Sequence, residues 1–335
     1  MIPRYARNDI GEYSVDIGPP MKYYWKAMKI ISFLPSATEI ACLLGLTDEL
    51  VGITHECNYP PQVQGKPVVV RNAAPTETMT DREIDETVSR IMREGGSLYR
   101  VEEDLLRRLD PDLILTQNLC QVCAASGNEI SVVLKTLAKK PKVIWLTPKN
   151  LEEMFGNITA VGEATGKLET AARCVEDLKA RVTSVRNQTK KIPMQPRVFL
   201  MEWFDPIYCG GHWVPELIEM AGGYDKLARK GQDSVRVTWR EVQTWSPEVL
   251  VLSPCGFNAE QAVERARKLP EIFPGWEKLP AVKSGRVYAV DAQAYFARPG
   301  PRLVDGLELL AHLIHPEEFA WNGPAAAYRK LRASS

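Results

Sequence analysis

The chain has 335 residues, with 42 Lys and Arg against 42 Asp and Glu, so its formal charge is zero. Apolar residues make up 45% and charged residues 25%, which excludes a disordered chain and, without a basic excess to displace phosphate counterions, argues against a nucleic-acid binder. The length suits two domains and can bury a core without disulfides or a structural metal, and the odd count of 7 cysteines cannot pair completely.

No apolar run reaches the roughly 18 residues a spanning helix needs, so no membrane span is expected. The opening MIPRYARNDIGEYSVDIGPP lacks the apolar core of a secretory signal. That predicts a cytoplasmic protein as the chain stands, and a periplasmic or extracellular one if the start is misassigned. Residues 1–27 read as an N-terminal extension.

Regular structure is expected from MKIISFL (28–34), an apolar run of strand type, followed by a helix that Ser36 or Thr38 can cap and Gly45 ends. ELVGI (49–53) and PVVV (67–70) follow as strands, then a helix over 101–110, a strand DLILT (112–116), a helix over 129–139 and a strand KVIWL (142–146). Short apolar strands alternating with helices indicate buried parallel strands in βαβ units. Residues 151–189 look helical, with Gly162 and Gly166 as soft points. From 168 on, Leu168, Ala172, Val175, Leu178, Val182 and Val185 recur at helical spacing, so 167–189 is a long strut. After the break at 188–196 the alternation restarts with RVFLME (197–202), a helix near 215–221, EVLVLS (248–253), a helix near 259–268, RVYAV (286–290) and a helix over 302–314.

EDLLRRLDPDLILTQ (103–117) resembles REVQTWSPEVLVLSP (240–254), a weak internal repeat. Two α/β lobes joined by a long helix are the simplest architecture: a lobe over 28–155, an interlobe helix over 156–190, a lobe over 191–320 and a tail over 321–335.

In open α/β sheets ligands bind beyond the carboxyl ends of the strands. In this sequence His, Cys, aromatic and Arg residues gather after those ends, in segments such as THECNYPP, QNLCQVC, CGGHW, PCGF and YFARPGPR. Cys120-x-x-Cys123 has the spacing of a metal knuckle or redox pair, and His55, Cys57 and Cys255 are the further candidates for a metal ion or cluster held across a cleft. Free cleft-lining thiols are the alternative. There is no G-x-S-x-G, Walker A, G-x-G-x-x-G or H-E-x-x-H motif, and no catalytic residue is assigned. Aromatics beside Gly and Pro in loops suit a concave site for a flat ligand, and Arg298 and Arg302 flank a rigid Pro-Gly-Pro.

These segments together resemble the cobalamin and iron-siderophore substrate-binding proteins of ABC importers, the helical-backbone class. The resemblance runs through SFLPSATEIACLLGLTDELVGITHECNYPP, LDPDLIL, GHWVPELIEMAGG, PEVLVL, PAVKSGRVYAVD and RPGPR, over roughly 28–318. It implies two Rossmann-like lobes, a rigid interlobe helix and non-catalytic binding of cobalamin or a related corrinoid or metal chelate between the lobes. By position, Tyr59, Gln117, Asn118, Trp203 and His212 would line that cleft from the strand ends, together with Trp213, Phe257, Tyr295, Phe296 and Arg298. The partners implied are a small-molecule ligand and, if the chain is exported, an ABC permease. The absence of an export signal and the Cys- and His-rich cleft depart from the transport pattern. They leave a cytosolic metal- or cluster-binding protein or enzyme as the alternative.

Overall fold

The computed structural model describes residues 28–73, 79–118, 134–135, 137–331 of the chain. The expected extension over 1–27, most of the expected helix over 129–139, and Cys120 and Cys123 lie outside the described residues.

Two sheets organise the molecule. The first holds β1 (Ile30–Ser32), β2 (Leu50–Thr54), β3 (Val68–Asn72), β4 (Tyr99–Val101), β5 (Leu113–Thr116) and β6 (Lys142–Trp145), in the order β4-β3-β2-β1-β5-β6. All neighbours are parallel except β3 and β4. The second holds β7 (Val198–Trp203), β8 (Tyr208–Cys209), β9 (Val249–Leu252), β10 (Val287–Val290) and β11 (Tyr328–Lys330), in the order β11-β10-β9-β7-β8. Its inner pairs are parallel and its two outer strands antiparallel. Strand β11 lies in the stretch read from sequence as a tail. Tyr328 pairs with Val290, so the second lobe runs on to the end of the described chain. Its three residues carry no apolar alternation long enough to mark a strand.

The central strands β1, β5, β9 and β10 are buried along their whole length. Val198 and Leu200 face one core and Phe199 and Met201 the other, all at 0% exposure. The first of these cores is continuous from Ile31 and Leu115 in the first lobe to Val251 and Val290 in the second. It passes through the two helices that join the lobes, α4 (Leu151–Thr165) and α5 (Leu168–Thr189). Gly166, at φ 69°, ends α4 in the left-handed conformation that glycine adopts without strain. A Cβ on Gly162 would stand 2.5 Å from the Ala171 methyl, so glycine sets the close approach of α4 and α5. The soft points of the sequence are thus a helix stop and a helix crossing.

At about 33 Å, α5 is the strut the spacing predicts. Its buried line differs by one position at the start. Ala171, Leu178, Val182, Val185 and Thr189 face inward, while Leu168 is 49% exposed and Ala172 is exposed. Packing against Gly162 rotates the first turn so that Ala171 points in. Arg181 of α5 donates to Asp305 at 2.5 Å and to Glu308 at 2.9 and 2.6 Å, which ties the strut to the helix Leu303–Ile314 of the second lobe.

One helix has no counterpart in the sequence reading. After β3 the chain forms α2 (Asp81–Arg93) before returning in β4. Thr80 and Glu83 form a reciprocal capping box at its start, a pattern that was available in the sequence.

Candidate functional site

The carboxyl ends of β2 and β5 in the first lobe and of β7, β9 and β10 in the second lead into the described parts of the segments singled out above, Asn118 being the last described residue after β5. Polar contacts cross between the lobes in two groups.

Beside the joining helices, Arg302 grips Glu39 of α1 (Pro35–Leu43) with two hydrogen bonds of 2.9 and 2.6 Å. Glu39 is 4% exposed, and burial pushes its carboxyl up in pKa while the Arg302 hydrogen bonds and charge oppose that push. The Arg302 guanidinium also lies 4.1 Å from the centre of the Tyr59 ring. Next to it, Arg298 donates to Asn58 Oδ1 at 2.7 Å, to the Glu56 carbonyl at 2.9 Å and to Gln293 Oε1 at 3.3 Å. Arg298 is therefore an interlobe tie here, with both terminal nitrogens bonded to protein, and not the free ligand clamp its position suggested.

At the outer side, α2 lies against the strand ends of the second lobe. The Trp203 indole N–H donates to the Asp81 carbonyl at 3.2 Å. Arg265 forms an ion pair with Asp81 and donates to the Met79 carbonyl at 3.1 Å, with its guanidinium 4.4 Å from the centre of the Phe257 ring. Arg82 clasps Asp205 at 3.0 and 2.8 Å, and Asp85 accepts from Arg236 at 2.7 Å and from Tyr208 at 3.3 Å. Trp203 and Phe257 are neighbours, with ring centres 5.9 Å apart.

His212 follows β8 in the second lobe. Its backbone φ of 50° is uncommon for a residue with a side chain. Its ring stacks on Trp213 at 5.3 Å, and its Nε2 lies 3.0 Å from Asp233 Oδ1. Burial holds its pKa below the ordinary histidine value and Lys149 of the first lobe acts in the same direction, while Asp233 opposes them. The imidazole is thus neutral at pH 7, the form that can ligate a metal. Asn118 is exposed on the facing lobe, with its backbone N–H bonded to Thr147 Oγ1 at 3.2 Å, and Gln117 beside it is 3% exposed.

Three aromatics expected in the cleft belong to the core instead. Trp213, Tyr295 and Phe296 are 5%, 6% and 2% exposed, and the Trp213 indole donates to the Phe296 carbonyl at 2.7 Å. They sit behind His212 and support it. A loop placement beside Gly and Pro did not reveal this, because the helix Leu303–Ile314 folds over them.

Of the proposed metal ligands only His55, Cys57 and Cys255 are among the described residues. Among the described residues no three His, Cys, Asp or Glu side chains are grouped as a metal site. Cys57 Sγ is buried between Thr38 Oγ1 at 3.0 Å and Thr54 Oγ1 at 3.4 Å, and burial raises its pKa. Its thiol faces the core rather than the cleft. His55 is exposed, with Nδ1 3.1 Å from the Val70 carbonyl. Cys255 is half-buried next to Phe257, and Cys120 and Cys123 lie outside the described residues.

Residues that the sequence reading passed over do much of the bridging: Asp81, Asp85, Asp205 and Arg265. Their signal was the capping box of α2, which marks a helix where only a connection was expected.

Known proteins match this arrangement over most of the chain. An uncharacterized ABC transporter substrate-binding lipoprotein of Bacillus subtilis is 28% identical over 299 residues, covering 87% of this chain and 81% of the relative. A vitamin B12-binding protein of Vibrio cholerae is 26% identical over 286 residues, covering 84% of this chain and 87% of the relative. The crystal structure of a periplasmic heme binding protein from Pseudomonas aeruginosa superposes with a TM-score of 0.69 at 18% identity, covering 92% of this chain and 99% of that one, which shows the shared fold. No helix among the described residues is long and apolar enough to cross a membrane. The family model for periplasmic binding proteins matches residues 30–294, and with two sheet-containing lobes joined by a long helix the chain belongs to that family of non-catalytic, solute-binding components of ABC importers.

Proposed function

We propose that this chain holds cobalamin or a closely related corrinoid between its lobes and presents it to an ABC permease. The observation that supports the reading is the ring pair of Trp203, at the end of β7, and Phe257, beyond β9, with centres 5.9 Å apart. Trp203 and Phe257 supply ring faces for a flat macrocycle. The neutral His212, hydrogen-bonded to Asp233 and stacked on Trp213, would supply an imidazole nitrogen to its metal. The vitamin B12-binding relative favours a corrinoid. Delivery to a permease places the working protein outside the cytoplasm, as for the lipoprotein relative.

A visible-absorbance titration with hydroxocobalamin, with hemin in parallel, tests this. Saturable binding of hydroxocobalamin with a shifted corrin spectrum is expected. Trp203→Ala should weaken it by about tenfold, the loss of one aromatic stacking contact. His212→Ala should abolish the spectral shift. Preference for hemin would reassign the ligand as a porphyrin, and failure of both to bind would overturn the chelate reading.

A further inference from the structure

Helix α2 is tied to the second lobe by ion pairs and hydrogen bonds, while its apolar residues Ile84, Val88, Ile91 and Met92 are only half-buried. None of its residues is fully buried, and a groove of 570 Å³ lined by Met79, Glu83, Glu86, Thr87, Arg90 and Arg93 runs beside it. Its first two turns, by contrast, hold the Arg82–Asp205 and Asp85–Arg236 ion pairs, the Asp81–Arg265 pair and the Trp203 indole bond. Those contacts cover the two rings on which the chelate would pack. Asp81 occupies the Trp203 indole N–H through its carbonyl, and Arg265, held by Asp81 and Met79, lies over Phe257.

From this geometry we infer that α2 is a gate, closed over Trp203 and Phe257 in the ligand-free protein and released from the second lobe when a ligand enters. The inference rests on the ligand site assigned above and adds how access to it is controlled. The joining helices hold the lobes at a fixed separation, so entry needs a smaller moving part than a lobe. A helix without a buried face, fastened by side chains at its tip, is suited to that motion. Two of its three ion pairs have an exposed arginine, Arg82 at 65% and Arg236 at 54%, and are screened by salt, whereas Arg265 and Asp81 are 21% and 13% exposed and are the firmer catch. A ligand that binds only the open state shifts the population by its own binding energy.

The test uses the full chain and the double variant Asp205→Asn, Arg236→Ala, which removes the second lobe's grip on Arg82 and Asp85 without altering α2 or the ring faces. Arg82→Ala, from the other side of the clasp, is the companion variant. Amide hydrogen exchange over 81–93 should accelerate by about tenfold in the double variant, and wild type should approach it as salt is raised. Trp203 emission, isolated by subtracting the matching Trp203→Phe protein, should become more readily quenched by acrylamide. The stopped-flow association rate of hydroxocobalamin should rise by a similar factor. Unchanged exchange or unchanged quenching would show that α2 does not cover the ring, and would overturn the gate. Association that is unchanged or slower would also overturn it. If exchange and quenching respond as expected but hydroxocobalamin binds neither protein, the chelate reading fails while the gate stands.

Discussion

The two groups of contacts between the lobes are built from the same residue types and behave differently. Beside the joining helices, Arg302 and Glu39 form a buried pair, 15% and 3% exposed in their side chains, next to the Arg298 knot. At the outer rim, Arg82 and Asp205 make an equally direct pair with side chains 65% and 27% exposed. Burial is the difference that matters. A buried charge that loses its partner has no water to turn to, whereas an exposed one is re-solvated at once. The inner group therefore holds the lobes together, while the Arg82–Asp205 and Asp85–Arg236 pairs of the outer group can open.

The largest expected effect comes from breaking the inner pair. Arg302→Ala leaves the Glu39 carboxylate buried and unpaired, and should cost about 3–5 kcal/mol in urea unfolding, much of it recovered in the double variant Glu39→Gln, Arg302→Met. A cost below about 1 kcal/mol would place this pair in the same class as the rim pairs.

A second contrast involves an acid with no cationic partner. Asp225 is buried behind β7 and its carboxyl is pushed up to about 7, with only backbone N–H groups opposing the burial. Its folded-state pKa lies above the unfolded value, so the folded state binds the proton more tightly. The associated stability is complete below about pH 4 and is lost as pH rises through 7, a change of up to about 4 kcal/mol. Unfolding free energies measured from pH 5 to 8 should fall accordingly, and Asp225→Asn should flatten the slope. Glu39, also buried but gripped by Arg302, provides the internal comparison.

Smaller again is the effect of crowding the crossing of α4 and α5. Gly162→Ala drives a methyl into Ala171 and should cost about 1–3 kcal/mol by overpacking, read as a lowered urea midpoint. The smallest effect belongs to the rim. Arg82→Ala should change global stability by less than about 1 kcal/mol and lose even that at high salt. A large loss there would mean that the rim, too, holds the lobes together.

Much of the fold was legible because it depends on local patterns. Runs such as DLILT and EVLVLS are short, apolar and bounded by turns, and each became a buried strand. The strut from 168 to 189 followed from its spacing, although Ala171 rather than Ala172 faces inward. Helix α2 was passed over although Ile84, Val88, Ile91 and Met92 recur at helical spacing behind the Thr80–Glu83 capping box, both patterns present in the sequence. Strand β11 was missed because three residues pairing with a distant edge carry no pattern of their own.

The site was legible in part. The strand-end rule put Trp203 at the end of β7 and Phe257 beyond β9, since the carboxyl ends of parallel strands share one side of a sheet by construction, whereas His212 follows β8, which runs antiparallel to β7. It could not separate rings that face the cleft from rings behind it. Trp213, Tyr295 and Phe296 occupy the same loops as their neighbours, and only the packing of the helix Leu303–Ile314 turns them inward. Nor could it show that Arg298 is held by Asn58, some 240 positions away in the chain. By itself the sequence determined the class of fold and which short apolar runs become buried strands, because these follow from periodicity and connection rules within short stretches. Tertiary structure alone decided which side chains bridge the lobes, which rings face the cleft and that α2 closes over them. Each of those depends on contacts between residues far apart in the chain, and on whether water reaches them.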